Sequence, residues 1–182
     1  VEEFAVECSL LKVAISEDMQ NCADEGLQIF GGMGFSADAP MEAAWRDARI
    51  GRIYEGTNEI NRMLSVGMLL KKAMKGELDL MTAVMGIGAQ IDTPETMAQQ
   101  THTGPLAAEQ DMVENLKKVF LLVAGSTVQK YGPDLDKNQE ILMALSDMLI
   151  EIYMAESAVL RTVKNTQRSS EEIGRASCRE RV

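Results

Sequence analysis

Aromatic side chains are scarce, with one Trp, three Tyr and four Phe in 182 residues. Sheets draw on aromatic and β-branched residues, so this shortage argues against a sheet-built core; the abundant Ala, Leu, Met, Glu and Lys argue for helix. The single histidine, His102, lies in a polar stretch and reads as a solvated loop residue, neither base nor ligand. Three cysteines, Cys8, Cys22 and Cys178, lack metal-ligand spacing and make no disulfide framework, which fits a reducing compartment. No metal site is expected. No apolar run approaches the roughly 20 residues needed to span a bilayer. Positive charge is short as well. A net charge of −10 excludes nucleic-acid binding by bulk electrostatics, and no feature supports membrane association. No secretory leader is visible, although the chain opens on Val1 and its true start is expected upstream.

What the chain does have is material for a core. Hydrophobic residues make up 46% of it, which excludes disorder over most of its length. The length fits one domain, or one and part of another. Phe4, Cys8, Leu11, Ile15, Met19 and Cys22 recur at steps of three and four, the mark of an amphipathic helix, with both cysteines read as core. Gly31 and Gly32 stop that helix. Asp38 and Pro40 read as a cap and a first-turn proline ahead of a short helix through Met41, Ala44, Trp45 and Ala48. Thr57 or Asn58 caps a third helix, which carries Ile60, Leu64, Leu70 and Met74. A further apolar helix is expected from Leu78 to Ala89. A polar linker follows over 90–104. Beyond it, a helix from Leu106 to Lys130 ends at Tyr131-Gly132-Pro133, and Asp136 and Gln139 stand at capping-box spacing before a last helix. The last two helices read as an antiparallel hairpin.

These patterns predict an all-α chain: an up-and-down helical bundle over 1–89, the linker, and an additional helical hairpin region over 105–171. The final segment, 172–182, lacks apolar periodicity and back-translates into a common sequencing adapter, so it is expected to be a non-native tail.

Chemistry concentrates between Gln28 and Arg62, in two glycine-bearing connectors. In Gln28-Ile29-Phe30-Gly31-Gly32 the glycine pair is either a plain helix stop or a place where backbone N–H groups approach a phosphate. No strand precedes it, and it is not the dinucleotide fingerprint. In Tyr54-Glu55-Gly56-Thr57-Asn58-Glu59, Glu55 is either an ordinary loop carboxylate or a general base. Apolar walls would raise its proton affinity, and Gly56 would leave room beside it.

Three blocks in this order, Gln28-Ile-Phe-Gly-Gly-Met-Gly-Phe35, Arg46-Asp-Ala-Arg-Ile50 and Ile53-Tyr-Glu-Gly-Thr-Asn-Glu-Ile60, resemble the C-terminal helical domain of acyl-CoA dehydrogenases. The resemblance covers the first 75–90 residues strongly; the continuation past Leu78 resembles the long, very-long-chain-like branch. It implies an FAD-dependent α,β-dehydrogenation of acyl-CoA thioesters in fatty acid β-oxidation. Glu55 is then the catalytic base that removes the α-proton, and Gly56 lies against the substrate thioester. Thr57, Asn58 and Glu59 match positions that contact the flavin nucleotide. Gln28, Ile29, Phe30, Gly31 and Gly32 match the segment that touches FAD held by a neighbouring subunit. Arg46 and Asp47 are expected to pair between helices.

The resemblance further implies an acyl-CoA substrate, electron-transfer flavoprotein as electron acceptor, and a homodimer or higher oligomer. The setting would be cytoplasmic in a bacterium and mitochondrial in a eukaryote. The family's other domains also hold FAD, so this chain alone is expected to be inactive. Two alternatives stand beside this: a non-enzymatic helical scaffold or assembly module, or an acyl-CoA oxidase.

Overall fold

A computed structural model describes residues 2–91 and 101–168. The non-native tail expected at 172–182 and the middle of the expected linker lie outside the described residues. The described residues form helices and turns with no strand among them. The helices are α1 (Ala5–Phe30), α2 (Pro40–Ile50), α3 (Asn58–Met74), α4 (Leu80–Ile91), α5 (Ala107–Tyr131) and α6 (Gln139–Arg168). The all-α class follows the sequence reading. No described helix is long and apolar enough to cross a membrane.

The chain divides into two compact units, Val1–Lys71 with Gln139–Ser146, and Lys72–Asn138 with Asp147–Val182. In the first, α1 and α2 lie antiparallel, and three contacts set the register. A Cβ added at Gly26 would meet Met41 Cε at 2.5 Å, Trp45 Nε1 donates to Asp24 Oδ1 at 2.9 Å, and Gly51 stands against Met19 and Ser16. Gly26 thus leaves room for the Met41 methyl. The core of this unit holds Val6, Leu10, Val13 and Ala14 of α1, Ala48 of α2, Val66 of α3, and Leu142 and Leu145 of α6. Each large apolar side chain buried this way contributes about 1.5–3 kcal/mol. Ser65 and Ser146, both fully buried, bond to each other at 3.0 Å.

The buried face of α1 is not the one the spacing singled out. Phe4, Cys8, Ile15, Met19 and Cys22 are exposed, and both cysteines are free thiols on the surface. α1 carries two apolar stripes of equal period, and the one with small neighbours, Ser9 and Ala14, is the one that packs. Two caps also differ. Ala39, in extended conformation, precedes Pro40 at the start of α2, while Asp38 bonds with Ser36. α6 starts at Gln139, after a 3₁₀ turn (Gly132–Lys137) that takes in Asp136.

In the second unit α4 packs on α5, where a Cβ added at Gly125 would meet Val84 Cγ1 at 2.9 Å. The expected boundary at 89 thus falls beyond the structural one, since α4 belongs with the later helices. Lys117 of α5 bonds Glu156 Oε1 of α6 at 2.5 Å. Both lie about equally far from the 3₁₀ turn, as the arms of an antiparallel hairpin do. His102 lies in a loop with its side chain 38% exposed, and its Nδ1 lies 2.8 Å from Asp111 Oδ1, which also accepts from Thr101 Oγ1 at 2.7 Å. The Thr101 and His102 bonds hold the Asp111 carboxyl down to about 2.

Candidate active site

The connector from α2 to α3 carries the candidate chemistry. After Ile50 the chain unwinds through a turn in which Ile53 and Tyr54 both donate to the Ile50 carbonyl. Glu55 and Gly56 then take left-handed backbone, φ 56° and 80°. Asn58 N donates to Arg52 O at 3.1 Å, closing the loop. A glutamate at positive φ is uncommon and costs about 1–3 kcal/mol, so the surroundings must hold it there; such residues cluster at functional sites. At Gly56 a side chain would be strained by φ and crowded, since a Cβ would lie 3.1 Å from Asn61 Nδ2.

The holding groups come from α1 and α3. Lys12 Nζ donates to Gly56 O at 2.8 Å and to Asn58 Oδ1 at 2.7 Å. Asn61 Nδ2 donates to Gly56 O at 2.9 Å and Thr57 O at 3.1 Å. Asn58 Nδ2 donates to Ser16 Oγ and Glu17 Oε1 at 2.9 and 3.0 Å. Glu17 in turn accepts a two-pronged bond from Arg62, Nη1 to Oε1 and Nη2 to Oε2, each 2.8 Å, the geometry in which an arginine grips a carboxylate most firmly. Arg52 adds a longer contact to Glu17 at 3.6 Å. Arg62's hydrogen bonds, with help from Asn58 and against partial burial, hold the Glu17 carboxyl below its usual range.

The sequence reading missed Lys12, Ser16, Glu17, Arg52, Asn61 and Arg62. The one signal was polar residues at positions 12, 16 and 17, where α1 has its packed face, and by spacing alone they read as solvent-facing.

The anticipated site residues fall into three groups. Glu55 and Gly56 sit on the turn, both exposed, beside Ile53 and Tyr54, which are themselves half exposed. Apolar walls around Glu55 are therefore not supplied by these residues. Thr57 caps α3, its Oγ1 accepting from Ile60 N at 3.3 Å. The exposed Glu59 carboxyl is held below its usual range by its own backbone N–H and by the Thr57 hydroxyl. Asn58 is 0% exposed, its side chain bonded to Lys12, Ser16 and Glu17 in the interior of this chain.

The third group, Gln28, Ile29, Phe30, Gly31 and Gly32, forms the exposed end of α1 and the 3₁₀ turn after it. Gly31 has φ 60°, and a Cβ added at Gly31 or Gly32 meets nothing within 4 Å. The run is exposed along its length. It is not joined to the Glu55 turn. Gly56 rests on Lys12, and Gln28 lies about 24 Å further along the same helix at 1.5 Å per residue. Arg46 pairs with Glu42 within α2, not between helices, because the two are one turn apart on its exposed face.

The described residues thus make an all-α fold with a strained, carboxylate-bearing turn braced from a neighbouring helix. Two family models, each described as "Acyl-CoA dehydrogenase, C-terminal domain", match residues 2–69 and 115–182. The chain belongs to the acyl-CoA dehydrogenase family.

A "Probable acyl-CoA dehydrogenase" of Bacillus subtilis (strain 168) is 45% identical over 164 residues, 90% of this chain and 27% of that protein. A "Very long-chain specific acyl-CoA dehydrogenase, mitochondrial" of Rattus norvegicus is 26% identical over 175 residues, 84% of this chain and 26% of that protein. A "Short-chain specific acyl-CoA dehydrogenase, mitochondrial" of Bos taurus matches 37% of this chain and 16% of its own length, at 46% identity. The chain superposes with a TM-score of 0.84, at 45% identity, on the crystal structure of an acyl-CoA dehydrogenase complexed with FAD from Bacillus anthracis, covering 93% of this chain and 28% of that one. The chain thus spans about a quarter of the length of these long relatives.

Proposed function

We propose that this chain is the C-terminal helical part of a longer FAD-dependent acyl-CoA dehydrogenase, and that Glu55 is the base that takes the α-proton of an acyl-CoA thioester. The observation that carries the reading is the left-handed Glu55–Gly56 turn, held by bonds from α1 and α3 at a place where a relaxed loop would avoid that conformation.

An α-C–H beside a thioester is a weak acid, so its removal needs a fixed carboxylate whose proton affinity rises as the proton leaves. Glu55 is open to water in this chain. An acyl chain laid over Tyr54 and Gly56, under the remainder of the longer protein, would cover it and raise that affinity. Gly56, without a side chain, lets the thioester come close to the backbone. FAD, when bound, supplies the acceptor for the β-hydrogen. The open run Gln28 to Gly32 and the exposed Glu59 are the residues here that suit contact with it. The 24 Å separation on α1 supports the view that Gln28–Gly32 serves a second subunit's FAD, hence a homodimer or larger. Electron-transfer flavoprotein is the proposed acceptor, and fatty acid oxidation in a bacterial cytoplasm the proposed setting.

Replacing Glu55 by Gln in the full-length protein is expected to leave FAD bound while acyl-CoA turnover falls roughly 10²–10⁴-fold, the usual contribution of a general base. Undiminished turnover would remove Glu55 from the mechanism. A docking role for the later helices has one specific support: Met112, Leu116, Val119 and Val123 form an exposed apolar stripe along α5.

A further inference from the structure

We propose that Lys12 is a positioning residue for proton abstraction: by holding the Gly56 carbonyl and the Asn58 amide oxygen together, its ammonium fixes the left-handed turn that presents Glu55. The inference rests on Glu55 being the base.

Three observations carry it. The turn is held from outside its own connector, because Lys12 lies on α1 and reaches across to α3's N-terminus. Lys12 supplies the charged donor in this set, and a charge-assisted bond is roughly twice as strong as a neutral one. Both of its acceptors are neutral oxygens, so the ammonium acts on the turn itself and not through an ion pair.

The rest of the brace orients these acceptors. The Glu17–Arg62 pair anchors Asn58 through its Nδ2, which leaves Oδ1 turned to Lys12. Asn61 shares the Gly56 carbonyl with Lys12, so that oxygen is held from two sides. With Lys12 truncated, the Gly56 carbonyl keeps one neutral donor, and the Gly56–Thr57 peptide next to Glu55 is held less firmly. The carboxylate then loses its aim while remaining chemically intact. A misplacement of about 1 Å in a reacting group costs on the order of 100-fold in rate.

The test uses the full-length flavoprotein with Lys12→Met, Lys12→Arg and Glu55→Gln side by side. For Lys12→Met we expect FAD content and the Kd for a non-reacting acyl-CoA thioether to stay within about twofold of wild type. Flavin reduction by acyl-CoA in stopped flow should fall about 10–100-fold, and backbone amides 54–58 should exchange faster by mass spectrometry. Lys12→Arg, which keeps a charged donor, should recover most of the rate and the protection. Should Lys12→Met fail to take up FAD, Lys12→Gln is read by the same criteria.

Wild-type reduction and exchange in Lys12→Met, with Glu55→Gln inactive, would overturn the positioning role alone. A slow Lys12→Met with unchanged exchange, or a slow Lys12→Arg, would overturn it too. Undiminished flavin reduction in Glu55→Gln would overturn the base assignment, and the role of Lys12 with it.

Discussion

Gly56 sits where backbone conformation and available space both disfavour a side chain, and it follows a glutamate already in left-handed geometry. Gly56→Ala is therefore expected to cost about 1–3 kcal/mol, read as a lower urea midpoint of this chain. An unchanged midpoint would mean that the turn tolerates a Cβ at φ 80°. Glu17 makes a second prediction, in pH. Its carboxyl is held below the 4.5 of a free glutamate, first by Arg62, so it favours the folded state fully above that value and loses this contribution as pH falls through the lowered one. Glu17→Gln should cost about 1–3 kcal/mol near neutrality, because it leaves the Arg62 and Arg52 guanidinium groups without their shared anion. The gap between variant and wild type should close below about pH 4.5. A gap independent of pH would show that the pairing does not contribute through charge. Glu55 was legible in the sequence as a carboxylate between Tyr and Gly. Lys12 was not, since a lysine on an amphipathic helix reads as a solvent-facing charge until the fold brings a carbonyl to it.

Among the helices, glycine has opposite roles at two places that the sequence does not distinguish. Gly125 on α5 accommodates Val84 of α4, whereas a Cβ at Gly67 on α3 would meet nothing within 4 Å. Alanine gains about 1 kcal/mol of helix propensity at either position. At Gly125 overpacking against a stiff β-branched side chain costs about 1–3 kcal/mol and should outweigh that gain. Gly125→Ala is thus expected to lower the thermal midpoint of this chain and Gly67→Ala to raise it. A rise for both would mean that α4 and α5 can separate without loss. Helix existence and length were readable from periodicity and from Gly and Pro stops. The packed face of α1 was not, because two stripes share one period and only the partner decides between them. Asp38 lost its expected capping role to Ala39 for a similar reason: its carboxylate found a nearer partner in Ser36.

For the molecule as a whole, the fold class and the two connectors of the candidate site could be read from the chain, because their glycines and polar residues depart from helical pattern. The brace behind the turn, the inward-facing Asn58 and the distance between Gln28–Gly32 and Glu55 arise only when α1, α2 and α3 are packed together. The grouping of α4 with the later helices was hidden too, since an apolar helix does not by itself name the helix it packs on. The open Glu55 carboxylate and the quarter of the relatives' length covered here both fit the proposal that this chain forms one wall of a site completed by the rest of a longer protein. The most direct measurement is anaerobic bleaching of the flavin by one equivalent of acyl-CoA in full-length Glu55→Gln. The account predicts a yellow protein with a normal flavin spectrum that bleaches roughly 10²–10⁴-fold more slowly than wild type, and bleaching at the wild-type rate would contradict it.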